Sequence, residues 1–151
     1  MKKLLTLALL WALTLTLCAC GGADSTADDA AETTSGGGIT EGVTILPAES
    51  DLYTQEDIDA AIDVTLDFFR QNFTGFTLTE LGYAGDAMNR QEAAFLNQYG
   101  GDELIVLLSS FDVDASGGDG SLNPNETYSN WNWILVRDSG GQWRHADHGY
   151  G

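Results

Sequence analysis

One amphipathic segment, residues 53–73 (YTQEDIDAAIDVTLDFFRQNF), constrains the fold of this chain more than any other feature. Its apolar side chains recur every three to four positions, which predicts a helix with one apolar face. Thr54 is the predicted N-cap because its hydroxyl can accept a hydrogen bond from an unpaired backbone amide, and Gly75 follows the expected end. Such a helix is stable when its apolar face packs on a second layer, so the rest of the chain must supply one.

The segments that follow predict this second layer as a sheet. A continuous apolar run such as ELIVLLSSFDV is typical of a central strand covered on both faces. NWNWILVRD alternates instead, which places Trp131, Trp133 and Leu135 on one face and Ile134 and Val136 on the other. The predicted strands are residues 75–85 (GFTLTELGYAG), 103–113 (ELIVLLSSFDV), 130–138 (NWNWILVRD) and 142–151 (QWRHADHGYG).

A short second helix is predicted over residues 89–101 (NRQEAAFLNQYGG), capped by Asn89 and stopped by the glycine pair. The element order predicts an α+β domain with its helices gathered on one face. The predicted fold is therefore a long N-terminal helix packed on a curved antiparallel sheet of about four strands, plus the short second helix.

This arrangement resembles the NTF2-like and cystatin-like architectures, in which a curved sheet wraps one long helix. The pairing NWNWILVRDSGGQWRHADHGYG, from residue 130 to the end, is also similar to uncharacterised extracytoplasmic domains in lipoproteins of Gram-positive gut bacteria. The resemblance covers residues 53–151 and implies a fold and a cellular location. It carries no activity to this chain.

The first 19 residues have the pattern of a secretory signal peptide. Lys2 and Lys3 precede an apolar run that ends at Leu17, which is too short to span a bilayer. The sequence Leu17-Cys18-Ala19-Cys20 resembles the bacterial lipobox, which implies cleavage before Cys20 and attachment of diacylglycerol and palmitate-type chains to it. We therefore predict a lipoprotein anchored on the extracytoplasmic face of the bacterial cell membrane through Cys20.

Removal of the signal limits the chemistry of the remaining chain. Residues 20–50 are rich in Gly, Ser, Thr and acidic residues and predict a disordered tether, so the globular domain is expected over residues 51–151. Within this tether, residues 43–47 are interpreted either as a short strand or as the lead-in to the fold. With Cys20 lipidated, no thiol is left for a disulfide, a zinc site or a nucleophile. Both lysines lie in the signal, and four arginines face 23 acidic residues, so we expect no nucleic-acid partner.

The polar stretch 111–128 (FDVDASGGDGSLNPNETY) contains a partial match to an EF-hand calcium loop. Asp112, Asp114, Ser116 and Gly117 fit its first half, but the bidentate Glu expected at the twelfth position is replaced by Asn123. A weak calcium site using Asp112, Asp114 and Asp119 is one interpretation. A long polar hairpin loop is the favoured one, and a partner-binding loop is the third.

The last predicted strand carries two histidines and an aspartate. Residues three apart on a regular strand point to opposite faces, so His145 and His148 are not expected to share a metal ion. His145 and Asp147 are expected on one face, where the pair could support acid–base chemistry in an NTF2-like pocket.

Four aromatic residues are candidates for a binding surface, because Trp and Tyr combine a large apolar area with a polar group. The alternative is that part of this cluster packs under the helix. The candidates are Trp131, Trp133, Trp143 and Tyr150.

The sequence thus favours a membrane-anchored extracytoplasmic lipoprotein that acts as a non-enzymatic binding or sensing module. The ligand is either a small molecule or a protein, and Ca²⁺ is the one cofactor considered. The alternatives are a small NTF2-like enzyme using His145 and Asp147, and a weak calcium-binding adhesion or structural module.

Overall fold

A five-stranded sheet in the order β1-β2-β3-β4-β5 organises residues 36–150, the part of the chain that the computed structural model describes. Strands β2 to β5 form an antiparallel meander, and β1 pairs in parallel with β2. The predicted α+β class is confirmed. The sheet is open, has one strand more than expected and is not purely antiparallel. Its elements are β1 (Thr44–Ile45), α1 (Gln55–Asn72), β2 (Phe76–Tyr83), α2 (Asp86–Glu92), a 3₁₀ turn (Ala93–Phe95), α3 (Leu96–Tyr99), β3 (Glu103–Val113), β4 (Thr127–Arg137) and β5 (Arg144–Gly149).

Helix α1 begins with a reciprocal cap. The Thr54 hydroxyl accepts a hydrogen bond from the Asp57 amide, and the Asp57 carboxylate accepts one from the Thr54 amide. Two amides that the helix leaves unpaired are thereby satisfied. At the other end, Gly75 has a φ of 84°, which lets the chain reverse into β2 at no steric cost. The predicted cap and stop are both confirmed.

The apolar face of α1 packs on the centre of the sheet and forms the main core. Phe69 of the helix and Trp133 of β4 are both fully buried there, with ring centroids 6.2 Å apart. The Trp133 indole N–H donates to the Ser109 hydroxyl over 2.8 Å, so this large side chain is buried without an unpaired donor.

The opposite face of the sheet is covered by the α2–α3 segment. Leu104, Val106, Ile134 and Val136 are buried against it. The expectation that both helical segments share one face is therefore wrong. β3 is apolar on both of its faces, so each face must be shielded from water by its own layer.

Asn89 has a different role from the predicted cap. Helix α2 begins three residues earlier, with Gly85 at its N-cap, and Asn89 is buried inside the helix. The Asn89 carboxamide accepts from the Val106 amide at 2.7 Å and donates to the Gly85 carbonyl at 2.9 Å. Its side chain therefore joins α2 to β3, and the prediction of a cap at Asn89 is wrong.

The folded part of the chain starts before residue 51, where the domain was predicted to begin. Ile39 exchanges backbone hydrogen bonds with Phe76 and Leu78 of β2, and β1 pairs with the same strand. Thr40 is buried, and its hydroxyl accepts from the Arg70 guanidinium at 2.8 Å. The predicted tether therefore ends earlier than expected. Few apolar side chains are needed to order this segment, because the edge of β2 satisfies its backbone hydrogen bonds.

Arg137 joins three elements at the start of α1. Its guanidinium forms ion pairs of 2.6 Å with Asp57 of α1 and with Glu103 of β3. It also lies over the Trp143 ring, 4.2 Å from the ring centroid. The hydrogen bond from Thr54, together with Arg137, lowers the pKa of Asp57.

The predicted signal peptide and Cys20 lie outside the described residues. Within residues 36–150, no helix is both long enough and apolar enough to cross a membrane.

The contact between residues 37–38 and α1 predicts a stability difference between two glycines. A Cβ atom on Gly38 would lie 2.6 Å from the Phe69 ring, whereas one on Gly36 would meet nothing within 4 Å. We expect Gly38→Ala to lower the free energy of unfolding by about 1–3 kcal/mol because the core is overpacked. Gly36→Ala is the matched control and should be neutral in urea unfolding. Equal stability of the two variants would show that residues 36–50 are a tether after all.

Candidate ligand-binding cleft

A cleft of about 440 Å³ opens where α1 ends and the polar loop after β3 folds back. Five elements meet there: the last turns of α1, the start of β2, the loop 114–126, and the paired strands β4 and β5. Most of its walls are apolar or aromatic. The lining residues are Phe68, Asn72, Phe73, Phe76, Asp119, Ser121, Leu122, Trp131 and His148.

A β-bulge at Ala146 determines which side chains of β5 face this cleft. Asp147 pairs with Ile134 and His145 pairs with Leu135, so Ala146 has no partner on β4. The extra residue shifts the alternation by one position. As a result, His145 and His148 both lie on the α1 face of the sheet, and the expectation that they point to opposite faces is wrong.

The two imidazoles contact each other directly. His148 Nδ1 lies 3.0 Å from His145 Nε2, which is hydrogen-bond distance when one of the nitrogens carries a proton. His145 stacks on Phe68 of α1, with ring centroids 3.7 Å apart and an interplanar angle of 18°. His148 stacks on Trp133, at 5.2 Å and 26°. Aromatic side chains thus surround the histidine pair on the side of the helix.

This environment keeps both imidazoles uncharged at neutral pH. Burial lowers the pKa of His145 to about 4, and the neighbouring His148 adds to the effect. Burial likewise lowers the pKa of His148. A neutral ring can both donate and accept one hydrogen bond, so the pair forms a single N–H···N contact and brings no positive charge to the cleft.

Asp147 lies on the other face of the sheet and does not join His145. It lines a separate cleft of about 140 Å³ beside Met88, Glu92 and Tyr99. Its carboxylate accepts a hydrogen bond from the His148 backbone amide at 2.9 Å. The predicted His145–Asp147 pair is therefore wrong, because the bulge separates the two side chains that a regular strand would have placed together.

The four aromatic candidates divide between core and surface. Trp133 and Trp143 are buried in the core, and the Trp143 indole donates to the Asp57 carbonyl at 3.0 Å. Trp133 is not available to a ligand, whereas the edge of Trp143 lines a second cleft of about 430 Å³ beside Arg137. Trp131 lines the cleft and meets Tyr150 edge to face at 5.2 Å, while Tyr150 is 60% exposed.

The carboxylates of the polar loop are occupied by bonds within the loop or to its flanking strand. Asp114 accepts from the Ser116 amide at 2.7 Å and Asp119 from the Ser121 amide at 2.9 Å. Asp112 accepts from the Thr127 hydroxyl at 2.6 Å. Residues 36–150 contain no group of three or more His, Cys, Asp or Glu arranged around a common point. Calcium binding by Asp112, Asp114 and Asp119 stays an untested prediction.

The same loop forms one wall of the cleft. Its Asp114 amide donates to the Gly75 carbonyl at 2.9 Å, and the Tyr128 hydroxyl accepts from the Asn123 amide at 3.0 Å. Gly118 packs so closely on Phe76 that a side chain there would overlap the ring. Leu122 is thereby held over the core, next to Trp131.

Sequence reasoning missed six of the nine lining residues: Phe68, Asn72, Phe73, Phe76, Ser121 and Leu122. The adjacent pair Phe68–Phe69 could have indicated Phe68, since two consecutive aromatics on a helix cannot both face the same core. The signal available for Leu122 was that it is the one large aliphatic side chain between Val113 and Tyr128. Nothing in the sequence distinguishes Asn72 from a solvent-exposed helix residue.

The cleft has two properties of a small-molecule site: it is concave, and it combines aromatic side chains with polar groups. No protein-family model matches the chain, and no curated protein and no solved structure matches it either. What the cleft does must accordingly be argued from its own chemistry.

The histidine pair predicts a pH dependence of stability. An unfolded histidine has a pKa near 6.5, and the folded His145 has one of about 4. The unfolded state therefore binds more protons between these values, and stability is complete above pH 6.5 and is lost as the pH falls. For two half-exposed rings we expect a loss of roughly 1–2 kcal/mol between pH 7 and pH 4.5.

Urea unfolding at a series of pH values measures this loss. The carboxylates with lowered pKa values lose their stabilising contribution mainly below about pH 5, so their share of the loss within this window is small. A double variant, His145→Gln with His148→Gln, should show a flat free energy of unfolding from pH 7 to pH 4.5. A flat profile in the unmodified protein would contradict the assignment.

Proposed function

We propose that this protein is a lipid-anchored extracytoplasmic lipoprotein whose domain binds a small molecule in the cleft between α1 and the loop 114–126. The binding is non-enzymatic, and the domain serves as a binding or sensing module at the membrane surface. The cleft supports the binding role, and the lipobox-like sequence ending at Cys20 supports the location.

The observation that carries the binding role is the composition and size of the cleft. Its volume of about 440 Å³ lies within the range of roughly 300–1,000 Å³ that small-molecule sites occupy. Phe68, Phe73 and Trp131 supply apolar surface, and Asn72 and Ser121 supply groups that can orient a ligand. A ligand that covers this surface gains the hydrophobic contribution of apolar area removed from water.

A non-enzymatic role is favoured over acid–base catalysis. An efficient general base is oriented by a third group and has a pKa near the working pH. His145 has Phe68 on one side and His148 on the other, and its pKa is about 4. Asp147 faces the opposite side of the sheet and therefore does not orient His145 as such a third group.

We propose in addition that the domain has an NTF2-like or cystatin-like architecture. One long helix across one face of a β2–β5 meander supports an NTF2-like or cystatin-like architecture. Two features depart from it: β1 adds in parallel at the edge of β2, and α2–α3 covers the opposite face. The relationship concerns only the arrangement of the helix and the sheet, and it implies no activity.

A pair of neighbouring substitutions tests whether ligands bind in this cleft. Asn72 lines the cleft, whereas Gln71 is exposed beside it on the same helix. We expect Asn72→Trp to fill the entrance and to weaken the binding of 2-phenylethanol, a neutral aromatic probe, by about tenfold or more. Gln71→Trp is the matched control and should bind the probe normally.

Binding is measured by titration of the full-length chain, followed by the ¹⁵N NMR signal of the Trp131 indole. Equal affinity of the two variants would place the site elsewhere. No response of the Trp131 signal to this probe or to its ammonium analogue 2-phenylethylamine at millimolar concentration would overturn the proposed binding role.

A second pair of substitutions tests the anchor. We expect Cys20→Ser to abolish incorporation of a labelled fatty acid and to release the protein from the membrane fraction, because the acceptor thiol is lost. Cys18→Ser keeps that thiol and should leave lipidation unchanged. Labelling of Cys20→Ser, or loss of labelling in Cys18→Ser, would contradict the assignment of the lipid to Cys20.

A further inference from the structure

The geometry points to a small organic cation as the ligand of this cleft: an ammonium group attached to an apolar or aromatic body. The inference names the ligand class for the site proposed above and rests on that proposed function. Three features of the described residues carry it, namely the aromatic walls, the sign of the charge at the rim and the position of every positive charge.

Aromatic rings line the cleft from three different elements. Phe68 and Phe73 come from α1 and its end, Phe76 from β2 and Trp131 from β4. Phe73 and Phe76 meet edge to face, with centroids 5.4 Å apart. The face of an aromatic ring carries partial negative charge and attracts a cation within about 6 Å, most strongly when water is excluded. A cation that reaches a free face of one of these rings gains this attraction, whereas a neutral polar group does not.

Asp119 is the one ionised side chain among the residues that line the cleft. Its carboxylate accepts hydrogen bonds from Ser121, which lower its pKa, so Asp119 is anionic at neutral pH. Ser121 lines the same cleft, and its amide holds the carboxylate in place. A positive group at the rim would therefore meet a fixed negative charge.

Positive side chains in the described residues are engaged elsewhere. Arg70 pairs with Asp67, Arg90 with Asp86, and Arg137 with Asp57 and Glu103. The Arg144 guanidinium donates to the Gly100 carbonyl. Residues 36–150 contain no lysine, and His148 is uncharged at neutral pH. An anionic ligand would thus find no positive partner in the cleft.

The surrounding field has the same sign as the cleft. The chain carries a formal net charge of −17. A strongly acidic surface raises the local concentration of cations and repels anions, an effect that salt weakens. Both the local and the long-range electrostatics therefore select for the same ligand class.

Three probes of one shape separate the effect of charge from that of apolar contact. They are 2-phenylethylamine, which is cationic at pH 7.5, the neutral 2-phenylethanol and the anionic 3-phenylpropionate. We expect the amine to bind the full-length chain about tenfold more tightly than the alcohol, and the anion to bind most weakly. Added NaCl at 0.5 M should lower the affinity for the amine and leave the affinity for the alcohol unchanged.

Two isosteric substitutions locate the preference. Asp119→Asn keeps an oxygen that can accept from the Ser121 amide, and it should bring the affinities of amine and alcohol within about twofold of each other. Asp138→Asn removes the same charge from the exposed β4–β5 turn and should leave the tenfold ratio intact.

The outcomes distinguish this inference from the proposed function. Equal binding of amine and alcohol by the unmodified protein, or tightest binding of the anion, would overturn the cation preference and leave the binding cleft standing. A tenfold preference that survives in Asp119→Asn would overturn the role of Asp119. Failure of the alcohol and the amine alike to bind would overturn both the inference and the binding role.

Discussion

The packing of α1 on the centre of the sheet is the interaction on which the rest of this structure depends. Phe69 and Trp133 are fully buried at this contact, and truncating a core aromatic of this size typically costs about 3–5 kcal/mol. At the start of this helix, Asp57 forms an ion pair with Arg137. At its end, Phe68, Asn72 and Phe73 line the cleft. The cleft thus lies just beyond the last turn of the helix. There the apolar core extends further than the helix that covers it elsewhere.

Elements with strong periodicity could be predicted from the sequence. Helix α1, its Thr54 cap and the two faces of β4 follow from residues that alternate or recur within one segment. For β1 the sequence leaves two alternatives, a short strand or the lead-in to the fold, because Thr44 and Ile45 become a strand only when the edge of β2 is present. Asn89 was misassigned for a related reason: its partner Val106 lies on another element.

The bulge at Ala146 explains why part of the candidate site was predicted wrongly. The periodicity of a regular strand places His145 and Asp147 on the same face of the sheet. Because Ala146 is unpaired, His145 shares its face with His148 instead. The register of β5 against β4 decides this, and no local pattern in RHADHG encodes it. The aromatic composition of the cleft could be predicted in part through Trp131, whereas its second wall required knowing that the polar loop folds back onto Phe76.

The arrangement of the outer strands also limits strand pairing between copies of the domain. An uncovered strand offers unpaired amides and carbonyls to any other chain, which is how ordered aggregates begin. On one side of the sheet, β1 and the bridge at Ile39 occupy the positions that a foreign strand would take on β2. On the other side, β5 is only six residues long, and its bulge interrupts the regular spacing that a template needs. The distortion that builds the histidine pair therefore also protects the sheet edge formed by β5.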